Sequence, residues 1–263
     1  MNSIPLQDLT DVTFVIPLRI DSLERLENVV ACTSYLLRFF NTHITILEAA
    51  PLPNRFLKYE LDSRIKVMFT EDHDPIFHRT KLLNQLSQSV TTSLLAIWDS
   101  DVIADPKQIT AAVELLRAGK ADFVYPYNGV FADTGVAKRA EFIQTGDIAL
   151  LMQDMVNMWL PYGVLACGGG FLANLTAYRN TGMENENFYG WGPEDGERVK
   201  RWKILEQHVL RITGPLFHLT HPRGVNSGDR TVEDHRAGIK EYLRICRMSK
   251  TALESEVNSW HLK

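Results

Sequence analysis

The sequence predicts an α/β fold, a mostly parallel central sheet flanked by helices, and three observations carry that expectation. Short apolar runs rich in β-branched residues alternate with stretches of helical period through the first half of the chain; this is the pattern of parallel strands joined by crossover helices. Punctuating residues stand where those elements should end, as Gly119 does after "AAVELLRA". With 263 residues, 45% of them hydrophobic and 23% charged, the chain can bury a full core.

Each element follows in order. "VTFVIPL" (12–18) suits a buried strand ended by proline. "DSLERLENVVACTSYLLRFF" (21–40) repeats apolar residues at helical spacing, with Asp21 or Ser22 as N-cap. "HITILEA" (43–49) and "RIKVMF" (64–69) are the next strands, and "HRTKLLNQLSQSV" (78–90) is an amphipathic helix. "SLLAIW" (93–98) is a fourth strand, "DPKQITAAVELLRAG" (105–119) a helix, and "DFVYPY" (122–127) a further strand. Ligands of open sheets bind beyond the carboxyl ends of the strands, which singles out "PLRIDS", "EAAP" and "DSDVIADP". The C-terminal "DHRAGIKEYLRICRMSKTALESEVNSWHLK" reads as amphipathic helices that could pack on the core, pair with another subunit or touch a membrane surface; packing is the expectation.

Composition excludes some classes. A formal charge of −4 leaves no basic excess for a nucleic-acid partner. Cys32, Cys167 and Cys246 are scattered and odd in number, so they form neither a disulfide framework nor a zinc knuckle. "MNSIPLQDLTD" lacks the regions of a secretory signal. The apolar run 148–173 is broken by Gln153, Asp154, Asn157, Pro161 and the glycine run 168–170, too often to span a bilayer. The expectation is a cytoplasmic protein with no transmembrane segment. Without an internal repeat or linker, residues 1–263 read as one domain: a nucleotide-sugar half (12–127), an acceptor and catalytic half (128–230) and C-terminal helices (231–263).

The chemistry concentrates in a few segments. "IWDSDV" delivers Asp99 and Asp101 from a strand end to one side of an extended chain. Carboxylates that close raise each other's pKa unless a cation lies beside them, and a hard divalent ion is the natural one; the alternative is an Asp-Ser-Asp cap on the next helix. "FHLTHPRG" supplies His218 and His221, and imidazole beside carboxylate suits manganese better than magnesium. "IFHRTKLLNQ" places Arg79 and Lys81 at a helix start after Phe77, suited to a phosphate with a stacked ring or to an ordinary basic helix face. Arg19 and Arg25 in "PLRIDSLER" are compatible with a diphosphate. "TEDHDPIFH" reads as a solvated acidic loop. "FYGWGPEDGERVKR" sets Trp191, Glu194 and Asp195 among glycines, either a loop built to move or a turn whose acids favour a helix N-terminus.

In the order "VIPLR", "FHRTKLLN", "WDSDV", "GGGFLANLTAYRNTGMENENFYGWGPED", "HLTHPR", from Val15 to Arg223, these segments resemble inverting glycosyltransferases of the GT-A fold. The likeness is to the β-1,4-galactosyltransferase family and related bacterial galactosyl- and N-acetylgalactosaminyltransferases. The resemblance implies a Mn²⁺ (or Mg²⁺) ion held by Asp101, His221 and His218, the last standing where the family commonly has methionine. It implies Pro17, Arg19, Phe77 and Arg79 lining the uridine site, with Asp99, Gly169 and Trp191 also on the donor. It makes Asp195 the general base, beside Glu194. Gly196 stands where the family often has a third acid that helps bind an N-acetylglucosamine acceptor, and Ala166, small at a donor-selecting position, makes UDP-GalNAc as suitable as UDP-Gal. The implied activity moves either sugar to a glycan acceptor hydroxyl. A non-catalytic nucleotide-sugar-binding protein would be expected to have lost the Asp pair or the base. A sugar nucleotidyltransferase would carry a glycine-rich loop where "PLRIDS" has none.

Overall fold

In the computed structural model, residues 5–224, 226, 228 and 231–260 are described. Strand β1 (Gln7–Leu18) is buried at every position from Val12 to Leu18, as befits a strand covered on both faces. It starts five residues earlier than the apolar pattern suggests, because "QDLTD" pairs along Phe40–Thr42 before a register shift between Leu9 and Thr13. Helix α1 (Leu23–Phe39) is capped by Ser22, whose side chain accepts the Arg25 N–H. Next come β2 (Phe40–Ala50), the one-turn helix α2 (Leu57–Glu60), β3 (Lys66–Glu71) and α3 (Arg79–Gln88). They are followed by β4 (Leu94–Trp98), β5 (Val102–Ala104) and α4 (Pro106–Arg117). Asp105 caps α4 and proline occupies its first turn, where a missing N–H leaves no bond unmade.

The second half contains β6 (Phe123–Tyr125), β7 (Phe131–Asp133), α5 (Gly135–Thr145), α6 (Ile148–Asp154), β8 (Gly170–Asn174) and α7 (Leu175–Asn180). Helix α8 (Glu194–Ile204), β9 (Val209–Arg211), β10 (Leu216–His218), α9 (Val232–Cys246) and α10 (Lys250–Trp260) complete the described chain. The main sheet runs β3-β2-β1-β4-β8-β6-β9; β8 lies antiparallel to both neighbours, and the other pairs are parallel. A smaller sheet, β5-β10-β7, sits at the carboxyl edge of β4. Its register places His218 opposite Val102 on one side and Asp133 on the other, which sets the geometry of the site.

Helix α8 is fixed to the sheet by Trp202, fully buried and stacked on Phe123 at 3.8 Å. Two arginines of α8, Arg198 and Arg201, are also buried. Arg201 pairs with buried Glu197 at 2.8 Å and donates to the Thr181 and Met183 carbonyls, clasping the left-handed "TGM" turn. The C-terminal helices pack on α8 through Leu205, Ile245, Leu253 and Val257, so the expected core packing is present up to Trp260; His261 to Lys263 and the first four residues lie outside the described ones. Among the described residues no helix is long and apolar enough to cross a membrane.

Because Trp202 fills the interface between α8 and the sheet, Trp202→Ala should lower stability by about 3–5 kcal/mol. Urea unfolding followed by circular dichroism measures it, and a shift below ~1 kcal/mol would show that α8 is held by its arginines instead.

Candidate active site

Strand β4 ends at Trp98, and the next three residues turn across the sheet edge before β5 begins. Asp99 donates its N–H to the Gly169 carbonyl, and Asp101 accepts the Leu219 N–H through its own, so this turn is tied to both β8 and β10. His221 Nε2 lies 3.2 Å and His218 Nε2 3.8 Å from Asp101 Oδ2. One ligand atom from each of the three residues falls within 4.8 Å of the others. The far side of each ring is fixed: His218 Nδ1 is 2.9 Å from Asp133 Oδ2 and His221 Nδ1 is 2.9 Å from the Pro222 carbonyl. The carbonyl can only accept, and so can Asp133 while ionised, so both Nδ1 atoms donate and both Nε2 atoms, each offering a proton or a lone pair, face the carboxylate. Three converging acceptors repel unless protons or a cation lie between them, and oxygen with two imidazole nitrogens fits a divalent ion such as manganese. Burial alone would raise the Asp101 pKa, but His218, His221 and Arg25 hold it well below the carboxylate range. Burial likewise opposes charge on His218, yet Asp101 and Asp133 keep its pKa above the ordinary value.

Asp195 stands in the first turn of α8, so the helix-start reading of "GPED" describes its backbone correctly. Its Oδ1 accepts from Arg198 Nη2 at 2.5 Å. Arg198, buried, also donates to buried Glu184 at 2.7 Å, which in turn accepts from the Tyr178 hydroxyl at 2.9 Å. Oδ2 of Asp195 points over Gly168, where a methyl group would run into it; Gly168 clears the space that this oxygen occupies. At neighbouring Gly169, φ is +82° and a side chain would meet Leu216 and Phe131, so no other residue fits. Glu194 is enclosed, its Oε2 without a hydrogen-bond partner among the described residues. Burial, with the Asp195 charge beside it, pushes its carboxyl up to about 8.

A cleft of about 430 Å³ joins these groups. Pro17, Arg19, Phe77, Arg79, Asp99, Asp101, Gly169, Trp191, Glu194, Asp195, His218 and His221 all line it, so every residue expected at the site faces one space. Arg79 donates Nε and Nη2 to Asp99 Oδ1, while its buried Nη1 lacks a hydrogen bond among the described residues and lies 3.8 Å from Asp195. Arg19 is more heavily engaged by its own chain. Its three nitrogens donate to the Ala49 and Asp74 carbonyls and to Asp72 Oδ2, and its guanidinium lies over Phe77 at 5.5 Å. Its hydrogen bonds hold the loop and use three of its five N–H groups, so Arg19 stands in the wall of the cleft with part of its donor capacity spent. The same contacts revise the acidic loop: Asp72 and Asp74, read as solvated, are structural acceptors, Asp74 also receiving the Tyr189 hydroxyl at 2.5 Å. Beyond Trp191, which is 43% exposed, Tyr162 and Leu165 give the cleft an apolar rim, and exposed Trp159 lies under Arg223, which also lines it.

Sequence reasoning missed Asp133, Glu184 and Arg198. Asp133 meets His218 from 85 residues away, and no local pattern announces that. Arg198 follows Asp195 by three residues, a helical spacing that could have been noticed. It was hidden among surface-like charges.

Two solved glycosyltransferases share the architecture. Glucosyl-3-phosphoglycerate synthase from Mycobacterium tuberculosis, in complex with phosphoglyceric acid, aligns at a TM-score of 0.54 and 15% identity, over 89% of this chain and 79% of that one. A mutant of Drosophila β-1,4-galactosyltransferase 7, in complex with manganese, UDP-Gal and xylobiose, aligns at 0.53 and 16% identity, over 92% and 82%. No family model and no curated protein matches the chain. The likeness in shape gives the chain the GT-A fold, with its mixed, mostly parallel sheet.

Two outcomes follow from the site's electrostatics. Asp133→Asn, which loosens His218, should weaken Mn²⁺ binding about 10- to 100-fold in calorimetric titration; unchanged affinity would remove His218 from the ion. Glu194 favours its protonated form in the folded state, so its contribution to stability is present below pH 4.5 and lost as pH rises through about 8. Glu194→Gln cannot ionise, and its melting temperature should gain on the wild type between pH 5 and pH 9; a constant difference would place Glu194 in water.

Proposed function

We propose that the chain is a metal-dependent inverting glycosyltransferase that moves galactose or N-acetylgalactosamine from a UDP-sugar to a glycan acceptor hydroxyl. The observation that carries this reading is the convergence of Asp101, His218 and His221 in one cleft with Asp195. It is supported by the shared fold with a galactosyltransferase whose structure contains manganese and UDP-Gal. Ala166, buried at the cleft wall, adds no bulk, and this leaves room for an N-acetyl group on the donor.

Asp101, His218 and His221 would hold a divalent cation, which when bound supplies Lewis-acid stabilisation of the diphosphate as charge develops on it. Arg79 offers the Nη1 donor that its pairing with Asp99 leaves over. Phe77, stacked under Arg19 beside Pro17, gives a flat wall for uridine. Asp195 Oδ2 takes the proton of the acceptor hydroxyl, while Arg198 holds Oδ1 and so fixes which oxygen faces the cleft. The acceptor oxygen attacks the anomeric carbon from the face opposite the diphosphate. The bond to the diphosphate oxygen breaks, its electron pair leaves with UDP, and the anomeric configuration inverts. Trp191, partly exposed at the mouth, covers the donor and excludes water, which would otherwise compete as acceptor. The apolar rim of Trp159, Tyr162 and Leu165 suits the faces of acceptor sugars.

³¹P NMR of UDP-Gal and UDP-GalNAc with Mn²⁺ and mixed glycan acceptors tests the reaction. UDP release is expected with one of these donors, and Asp195→Asn should lower turnover ~10²–10⁴-fold while leaving donor affinity unchanged. Absence of donor binding in the wild type would remove the reading, and full activity in the variant would remove Asp195 as base.

A further inference from the structure

Helix α9 carries two different faces. The inner one lies against α8: Gly238 meets Pro193, Tyr242 lies over Gly196, and Ile245 is fully buried. Glu241 is engaged on this helix too, accepting from Asn185, Asn187 and Arg244. The other face is open. Val232, Ile239 and Leu243 are 60%, 38% and 41% exposed, and their spacing of seven and four residues puts them in one stripe along the helix. Arg236, Lys240 and Arg247, spaced four and seven apart, form an adjacent row.

All three cations are exposed, and none makes an ion pair among the described residues, unlike Arg244, which is held by Glu241 and Glu256. The row is not a product of composition, since the chain as a whole carries −4. The other acids of the helix, Glu233 and Asp234, are confined to its first turn, where they favour the helix dipole. Cations and aliphatic side chains together line a shallow groove of about 320 Å³.

We propose that the outer face of α9 docks on an anionic lipid bilayer. Val232, Ile239 and Leu243 enter the boundary between headgroups and acyl chains, and Arg236, Lys240 and Arg247 meet lipid phosphates. Charge complementarity selects this occupant. A row of unpaired cations beside a narrow apolar stripe matches an extended negative surface, and neither feature suffices for a stable anchor alone. The inner face of α9 touches Pro193 and Gly196, the residues bracketing Glu194 and Asp195. A docked helix therefore holds the cleft within about one helix diameter, ~10 Å, of the lipid surface. There, an acceptor anchored in the membrane would be presented to it; this last step rests on the proposed transfer reaction, whereas the docking does not.

Co-sedimentation of the full chain with phosphatidylcholine vesicles, with and without phosphatidylglycerol, tests the proposal at low and high salt. Binding to the anionic vesicles alone, weakened by salt, is expected. Each cation contributes roughly fivefold near an anionic leaflet, so Arg236→Gln, Lys240→Gln and Arg247→Gln together should reduce the partition coefficient on the order of a hundredfold. Ile239→Ser with Leu243→Ser should weaken it independently. Turnover of a soluble acceptor should be unchanged in both variants, so loss of vesicle binding and loss of the transfer reaction are read separately. Equal binding to both vesicle types, no binding to either, or a dimer in size-exclusion chromatography that the same substitutions abolish would overturn the proposal. If the cation variant fails to fold, the salt dependence of the wild type and the Ile239/Leu243 variant decide.

Discussion

The site depends on one hydrogen bond, His218 Nδ1 to Asp133. Strand β10 lies between β5 and β7, and its register sets the imidazole between the Asp99–Asp101 turn and Asp133. Asp133 fixes the tautomer, the tautomer aims Nε2, and Nε2 completes the cluster with Asp101 and His221. Slipping β10 by one residue would turn His218 to the opposite face of the small sheet and dissolve the cluster. The small sheet thus acts as a jig that converts strand register into side-chain geometry.

Helix α8 solves a different problem, that of holding a carboxylate at a helix start without letting it turn away. Arg198 grips one oxygen of Asp195 and is itself gripped by Glu184, while stacking on Phe171 at 4.6 Å. Burying such a charge is unfavourable unless it is paired and hydrogen-bonded, and Arg198 is paired with two carboxylates through Nη1 and Nη2, its Nε having no partner among the described residues. The arrangement commits Asp195 Oδ1 to Arg198 and sets Oδ2 over Gly168, the oxygen that takes the proton in the proposed reaction. Arg201 does for the "TGM" turn what Arg198 does for Asp195, joining the helix to the segment that leads into Trp191. A helix with a mostly charged sequence is therefore bound to the core by its buried arginines as well as by Trp202.

The donor side shows how pairing limits what a cation can do. Arg19 and Arg79 both line the cleft, but Arg19 directs its donors to the loop around Asp72. Arg79 keeps one buried nitrogen without a hydrogen bond among the described residues. Equivalent in a sequence pattern, they differ in the donors each has left for a ligand, because hydrogen-bond capacity is finite.

The sequence alone determined the alternating α/β architecture and many of the residues that line the cleft. Alternating periods of two and 3.6 residues, Ser22 and Asp105 at helix starts, and the continuous burial of "VTFVIPL" depend on neighbours a few residues apart, so they are visible in a linear string. Asp99, Asp101, Trp191, Glu194 and Asp195 were visible for the same reason, each lying within a short segment of chemically meaningful spacing. Tertiary structure decided which of these groups meet, and what else meets them. Asp133 reaches His218, Asp72 occupies Arg19, and Glu184 steadies Arg198 across 85, 53 and 14 residues. Such pairings are set by strand register and helix packing, and the energies that select them come from the burial of the whole core, which no local stretch of sequence records.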